Sequence, residues 1–175
     1  MKNLKVHLRP LDKSDLNERY LSWVNDFEVI KYMETGTFPV RMENLEQYYD
    51  FMTNSPNHLI LAIMVGQEHI GNITLNDINW IHRIANLGIM IGDKDYWGKG
   101  YGIEAIKLMT QHAFSKLNLH KIWLSLWDDN TAAFMTYKNA GYKKEAELPS
   151  ELCRNGKYHN RIYMGIINDS SDNPS

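Results

Sequence analysis

The sequence predicts a single α/β domain built on one mixed sheet, and three observations carry that prediction. Short apolar runs of strand length alternate with longer stretches of helical period, so strands and helices interleave along the chain. A glycine-rich turn, Gly98-Lys99-Gly100-Tyr101-Gly102, joins the apolar run Leu87-Gly88-Ile89-Met90-Ile91 to an amphipathic helix. Two tight-turn signals, Gly66-Gln67 and Arg154-Asn155-Gly156, each separate a pair of strand-like runs and predict antiparallel hairpins.

The elements follow in order. Residues 4–9 read as a strand ended by Pro10, residues 14–23 as a helix and residues 27–32 as a shorter one, before Gly36 and Pro39 break the chain. A helix over residues 42–52 precedes strands at 59–65 and 68–75. Residues 76–82 form a loop and residues 84–91 a strand. The helix over residues 100–116 buries Ile103, Ile106, Met109, Ala113, Phe114 and Leu117 on one face of 3.6-residue period. A parallel crossover then leads to a strand at 121–126. The helix over residues 130–139 can be capped by Asp129 or Asn130 and closes at Gly141, and strands at 142–148 and 158–167 complete the sheet.

Bulk properties narrow the function. The 175 residues suffice for one core, so residues 1–167 are assigned to one domain and the polar residues 168–175 to a disordered tail. The formal net charge of −2 and the scatter of the cations exclude the footprint of a nucleic-acid binder or a polybasic membrane patch. One cysteine, Cys153, excludes an internal disulfide framework, and no signal-peptide core or spanning segment is visible, which predicts a cytoplasmic protein. A homodimer is left open.

The chemistry concentrates at Tyr96-Trp97-Gly98-Lys99-Gly100-Tyr101-Gly102-Ile103-Glu104. Glycines let the backbone approach a ligand and aim its N–H groups, the helix start offers unpaired donors and a positive dipole end, and Lys99 adds a cation. A magnesium-binding phosphate loop would need Ser or Thr after the Gly-Lys pair, and a dinucleotide fingerprint needs Gly-x-Gly-x-x-Gly with a later acid. Neither fits. The spacing Trp97-x-x-Gly100-x-Gly102 closely resembles the coenzyme A pyrophosphate loop of the GNAT superfamily of acetyltransferases, usually Gln/Arg-x-x-Gly-x-Gly/Ala. Trp97 departs from that consensus in the manner of the RimJ/RimL-like branch. Downstream, Asp129-Asn130-Thr131-Ala132-Ala133-Phe134-Met135-Thr136-Tyr137-Lys138-Asn139-Ala140-Gly141-Tyr142 resembles the family's Glu-Asn-x-x-Ala-x-x-x-Tyr-x-x-x-Gly-Phe segment.

The resemblance spans nearly the whole chain and implies the GNAT fold: a mixed, mostly antiparallel, splayed sheet flanked by helices. It implies acetyl-CoA as co-substrate, lying between the strands at 84–91 and 121–126, with no metal. It places backbone donors for the pantetheine arm and oxyanion at Ile89, Met90 and Ile91, and coenzyme A contacts at Trp97, Gly98, Lys99, Gly100, Tyr101, Gly102 and Asn130. Tyr137 takes the general-acid position, with an ordinary phenol pKa near 10 and an alkaline fall in activity to match.

Relatives often carry Glu where this chain has Asn86, so the base is open among Glu34, Asp77, His82, Asp128 and the neutral fraction of the amine. Glu34 and Asn86 are the candidate substrate contacts. Cys153 lacks a local partner for covalent transfer, so direct attack in a ternary complex is expected. The aromatics and acids between Trp23 and Tyr49 suit a small amino compound such as an amino sugar or polyamine. The alternatives are the N-terminal α-amine of a protein, reached through an open groove, and a non-catalytic acyl-CoA-binding module.

Overall fold

The computed structural model describes residues 6–33 and 38–169. Glu34, a candidate substrate contact, and Gly36 therefore lie outside the described residues, as do positions 170–175 of the expected tail. Strand β1 (Val6–Pro10) leads through a 3₁₀ turn (Lys13–Asp15) to α1 (Glu18–Asn25), α2 (Phe27–Ile30) and α3 (Met42–Asn54). The hairpin β2 (Leu59–Val65) and β3 (Glu68–Asn79) follows, then β4 (Ile84–Ile91), a 3₁₀ turn (Lys94–Tyr96) and α4 (Tyr101–Ser115). The chain closes with β5 (Lys121–Trp127), α5 (Thr131–Asn139), β6 (Lys143–Arg154) and β7 (Lys157–Ile167).

Local chemistry explains where the observed elements differ from expectation. The helix expected over 14–23 is split because two caps compete: Asp12 accepts from the Ser14 amide at 2.8 Å, and Asn17 accepts from the amides of Arg19 and Tyr20 at 3.1 Å each. The second cap starts α1 at Glu18. Strand β3 runs past Leu75 because a register shift between Asn76 and Asn79, with Asp77 at φ 50°, absorbs the extra residues as a bulge. The expected loop 76–82 thus shrinks to a turn, where Asn79 Oδ1 accepts from the amides of Ile81 and His82 at 3.1 and 2.8 Å. Strand β6 continues beyond Leu148 through Pro149, which an edge strand tolerates because no neighbour needs its missing N–H. At its end Asn155 and Gly156 both adopt positive φ, 52° and 74°, as a two-residue hairpin turn requires. Asn168, first residue of the expected tail, donates its amide to the His120 carbonyl at 2.8 Å.

The strands form one sheet in the order β1-β2-β3-β4-β5-β7-β6. Among the described residues only β4 and β5 run parallel. Helices α4 and α5 cover one face, where Ile106, Met109, Ala113 and Tyr137 bury against Leu75, Leu87, Ile122, Leu124 and Met164. Each such aliphatic side chain contributes about 1.5–3 kcal/mol on full burial. Of the residues assigned to the buried face of this helix, Ile103 and Phe114 are only half-buried, as is Leu117 just past the end of α4, and Ala105 and Thr110 join the interior, Thr110 bonding the Tyr142 hydroxyl at 2.9 Å.

On the other face, Tyr20 and Trp23 of α1 and Leu45 and Met52 of α3 pack over Ile60, Ala62, Met64 and Met90. Trp23 lies so close over Gly92 that an added Cβ there would meet its ring at 2.1 Å. Gly92 thereby lets α1 clamp the end of β4 just before the glycine turn.

Candidate active site

Strands β4 and β5 pair only through Ile84–Lys121, Ala85–Ile122 and Asn86–Trp123. Beyond Asn86 they part. The direction of each β4 amide follows from the alternation of an antiparallel ladder. On the β3 side the Gly92 N–H bonds the Ile70 carbonyl at 2.9 Å, and on the β5 side the Arg83 carbonyl accepts from the amides of His120 and Lys121 at 2.7 and 3.2 Å. Even-numbered residues of β4 thus bond β3, and odd-numbered ones face β5. The backbone groups of Ile89 and Ile91 point into the gap, with no strand opposite them among the described residues.

The expectation for Met90 needs correction. Its N–H belongs to the β3 ladder opposite Asn72, and its side chain is buried under α1 and α3. The donors facing the gap are those of Ile89 and Ile91.

At the outer end of the gap stands the glycine turn. Gly98 and Gly100 adopt φ 68° and 89°, in the left-handed region that side-chained residues avoid. Gly100 caps α4 without a side chain, and the first bond inside the helix is Glu104 N–H to the Gly100 carbonyl at 3.2 Å, which leaves the amides of Tyr101, Gly102 and Ile103 outside the ladder. An added Cβ at Gly98 would meet nothing within 4 Å, and one at Gly102 only Ile91 Cγ1 at 3.9 Å. The fold itself leaves room for a side chain at Gly102, so its absence keeps the surface over those amides open. Lys99 makes no ion pair among the described residues, so its ammonium is available to an anion. Trp97, 41% exposed, donates its indole N–H to the Ile91 carbonyl at 2.8 Å and so pegs the turn to the end of β4. Its polar group is used by the chain, and only the ring is left to a ligand.

Helix α5 carries the other predicted residues. Asn130 caps it, its side-chain oxygen accepting from the Ala133 amide at 3.2 Å. Tyr137 is buried on the α4–α5 face, its ring 6.0 Å from that of Tyr142. Burial pushes its phenol up to about 12, so the ordinary value near 10 expected from sequence does not hold.

On the opposite face, a cleft of about 340 Å³ opens beside the splay. Aromatic rings of Tyr32, Trp123, Trp127 and Tyr163 wall it, and Asn86, Gly88, Ser125 and Arg161 add polar or backbone surface. Trp123 and Tyr163 stack at 5.9 Å. Arg161 spends its charge on Glu151, Nε to Oε2 at 2.9 Å, and bonds Ser125 Oγ at 3.1 Å.

Among the aromatics and acids considered between Trp23 and Tyr49, Tyr32 is the one described residue that lines this cleft; Trp23 is buried between α1 and the sheet, and Asp26 and Glu28 both pair with Lys94 at 2.7 Å. Asn86 sits at the splay point. The base candidates disperse: Asp77 and His82 occupy the exposed bulge and turn after β3, and Asp128 accepts the Asn160 amide at 3.0 Å and bonds His159 Nδ1 at 3.0 Å. The Asn160 amide first, then His159, hold the Asp128 carboxyl below the usual carboxylate range. Cys153 is exposed on β6 opposite Tyr158, away from the gap.

Sequence reasoning passed over Trp123, Trp127, Arg154, His159 and Arg161. A signal was present in the alternation Trp123-x-Ser125-x-Trp127 and Arg161-x-Tyr163, which gives two apolar strands one polar and aromatic face.

The chain matches the family described as Acetyltransferase (GNAT) domain over residues 5–143. The protein belongs to the GNAT acetyltransferases. As a member it is an acetyl-CoA-dependent N-acetyltransferase. Among curated GNAT relatives, the spermidine N(1)-acetyltransferase of Escherichia coli (strain K12) is 33% identical over 163 residues, covering 93% of this chain and 86% of the relative. The Vibrio cholerae spermidine N(1)-acetyltransferase is 29% identical over 167 residues, 94% of each. The structure superposes on the crystal structure of spermidine N-acetyltransferase from Vibrio cholerae in complex with CoA and spermine with a TM-score of 0.88 at 28% identity, covering 98% of this chain and 100% of that one. The GNAT fold expected from sequence, with its splayed and mostly antiparallel sheet, is the fold observed. No helix among the described residues is long and apolar enough to cross a membrane.

Proposed function

We propose that this GNAT enzyme acetylates a primary amine of a polyamine of the spermidine and spermine class. The observation that carries the reading is the full-length likeness to spermidine N-acetyltransferases, one of them crystallised with spermine. The aromatic cleft beside the splay supports it, because rings recognise cations through their faces and a methylene chain through their area. The likeness to the RimJ/RimL branch, and with it the α-amine of a protein as acceptor, finds no support among these relatives.

In the proposed site, the coenzyme A pyrophosphate lies against Gly98 to Gly102 and the first amides of α4, with Lys99 as counter-charge. The pantetheine arm follows β4, taking backbone bonds at Ile89 and Ile91 and a side-chain bond from Asn130. The amine nitrogen attacks the thioester carbonyl carbon, forming the C–N bond, and the Ile89 amide faces the oxyanion. Collapse breaks the C–S bond, and the thiolate departs toward Tyr137. A free thiol titrates near 8.5, well below the buried phenol, so Tyr137 acts chiefly by donating a hydrogen bond to the developing thiolate; the proton that completes the thiol comes from the attacking nitrogen through Tyr137 or solvent. With Asn86 in place of a carboxylate at the splay, the amine is proposed to enter as its neutral fraction.

A thiol-release assay over a panel of polyamines, amino sugars and peptide N-termini, with mass analysis of the product, tests the reading. Turnover of amino sugars or peptides, with spermidine and spermine untouched, would overturn it.

A further inference from the structure

The last residue of β6, Arg154, reaches back from the hairpin tip to the outer end of the cleft. Its guanidinium carbon lies 4.7 Å from the ring centre of Trp127 and 5.1 Å from that of Tyr32. The two rings are 6.5 Å apart and inclined at 60°, so they form a corner rather than a flat wall. An ion pair from Nη2 to Asp129 closes the third side. Two aromatic faces and a carboxylate around one cation make a recognition site for cations. Arg154 fills it imperfectly, since Nη1 is buried with no acceptor, an arrangement that destabilises the occupied state.

Tyr32 and Trp127 also line the cleft that reaches Asn86 and Gly88. Asn86 pairs with Trp123, and the four residue steps from Trp123 to Trp127 span about 13 Å at the usual strand rise. That is roughly the reach of an extended triamine with one end at the splay.

We propose that the corner of Tyr32, Trp127 and Asp129 is the subsite for the distal ammonium of the acceptor, and that Arg154 occupies it as a resident competitor which substrate displaces. The inference rests on the polyamine reading above. A primary ammonium is a compact charge with three rotatable donors, so it can meet Asp129 and both rings without burying an unused N–H. Displacement needs only rotation of the Arg154 side chain, because the residue stands beside the exposed Asn155-Gly156 turn. Lys31 Nζ, 4.9 Å from the Tyr32 ring centre, is a second cation using that ring, and it keeps the tyrosine engaged when Arg154 leaves.

The test is steady-state kinetics with spermidine and with butylamine, which has no second charge. R154M removes the competitor and should lower KM for spermidine about three- to tenfold, the scale of one cation–aromatic contact, with the change falling on KM rather than kcat. KM for butylamine should not move. R154K retains a cation and should stay near the wild type, and D129N, which removes the carboxylate, should raise KM for spermidine. A folded R154M, judged by its thermal melt, whose KM for spermidine equals or exceeds that of the wild type would overturn the inference and leave Arg154 a clamp between hairpin and α2. If R154M does not fold, an unchanged KM in D129N overturns it instead. Failure of the polyamine reading looks different: no spermidine turnover by wild type or any variant, which removes both.

Discussion

Replacing Tyr137 by Phe keeps the ring packed against Tyr142 and removes only the hydroxyl, so it isolates the proposed hydrogen bond to the departing thiolate. A hydrogen bond to a charged group contributes about 1.5–3 kcal/mol, and each 1.36 kcal/mol is about tenfold in rate. The expected loss in kcat is therefore roughly 10- to 100-fold, toward the low end for a positioned acid. Acetyl-CoA affinity, read by calorimetry, should stay within about twofold, because the bond strengthens only as charge develops on sulfur.

The pH profile sharpens the test. Burial holds the phenol at about 12, so Tyr137 stays protonated across the usual assay range. Activity should rise with pH as the amine deprotonates and show no fall below pH ~10.5 in either protein. Tyr137→Phe turning over spermidine at the wild-type rate would refute the role. A wild-type alkaline fall near pH ~10 that the variant lacks would refute the burial argument instead, since it requires an ordinary phenol.

Three further outcomes are expected. Gly102→Val should fold like the wild type, because its Cβ meets only Ile91 Cγ1 at 3.9 Å, yet lose most of its coenzyme A affinity by calorimetry; Gly100 is the poorer probe, since φ 89° makes any side chain there a folding defect as well. Cys153→Ser should keep most of its turnover, the thiol being exposed and opposite Tyr158, and an acetylated cysteine peptide trapped from the wild type would contradict that. Asp15→Asn should cost about 1–2 kcal/mol in denaturant melts, as it neutralises a nearly buried carboxylate whose two Arg9 bonds are 2.7 Å each, while the 35% exposed Arg9 side chain leaves the pair partly screened by solvent. Burial alone would raise the Asp15 carboxyl, but Arg9 and the Asp12 amide together hold it below its ordinary value. Its contribution is therefore present above the unfolded carboxylate pKa of about 3.9 and lost as pH falls through the lower folded value, a limb the variant should lack.

What was legible in the sequence was local. Strands β2 and β4 fall on their expected bounds because each is an apolar run closed by turn chemistry. The glycine turn and the α5 segment were legible because each compresses strand, turn and helix start into one stretch. The bulge at Asp77 was not, since a non-glycine residue at positive φ leaves no mark in composition. Nor was the length of β6, whose Pro149 reads as a break until the strand is known to be an edge. The corner around Arg154 draws Tyr32, Trp127, Asp129 and Arg154 from the segment after α2, β5, the turn before α5 and β6. Residues so far apart in sequence meet only through sheet order, and no window contains them.

In the proposed site, parity along β4 lets one strand serve both substrates. The backbone groups of Ile89 and Ile91 point sideways into the gap, while their side chains pack under α4 and α5. The side chains of Asn86 and Met90, and the bare backbone of Gly88, turn to the opposite face, where the cleft proposed for the acceptor lies. Donor and acceptor therefore approach the same peptide groups from directions set by a two-residue period, without competing for a side chain. A slip of one residue would send the Ile89 amide into the β3 ladder and its side chain into the cleft, spoiling both functions together. Three pairs with β5 and the uninterrupted ladder from Gly71–Ile91 to Asn76–Asn86 hold the register against that slip. Gly88 adds to this: a Cβ there would meet Thr74 Oγ1 at 2.8 Å, so a side chain at this position would have to push the Thr74 hydroxyl aside on the floor of the cleft.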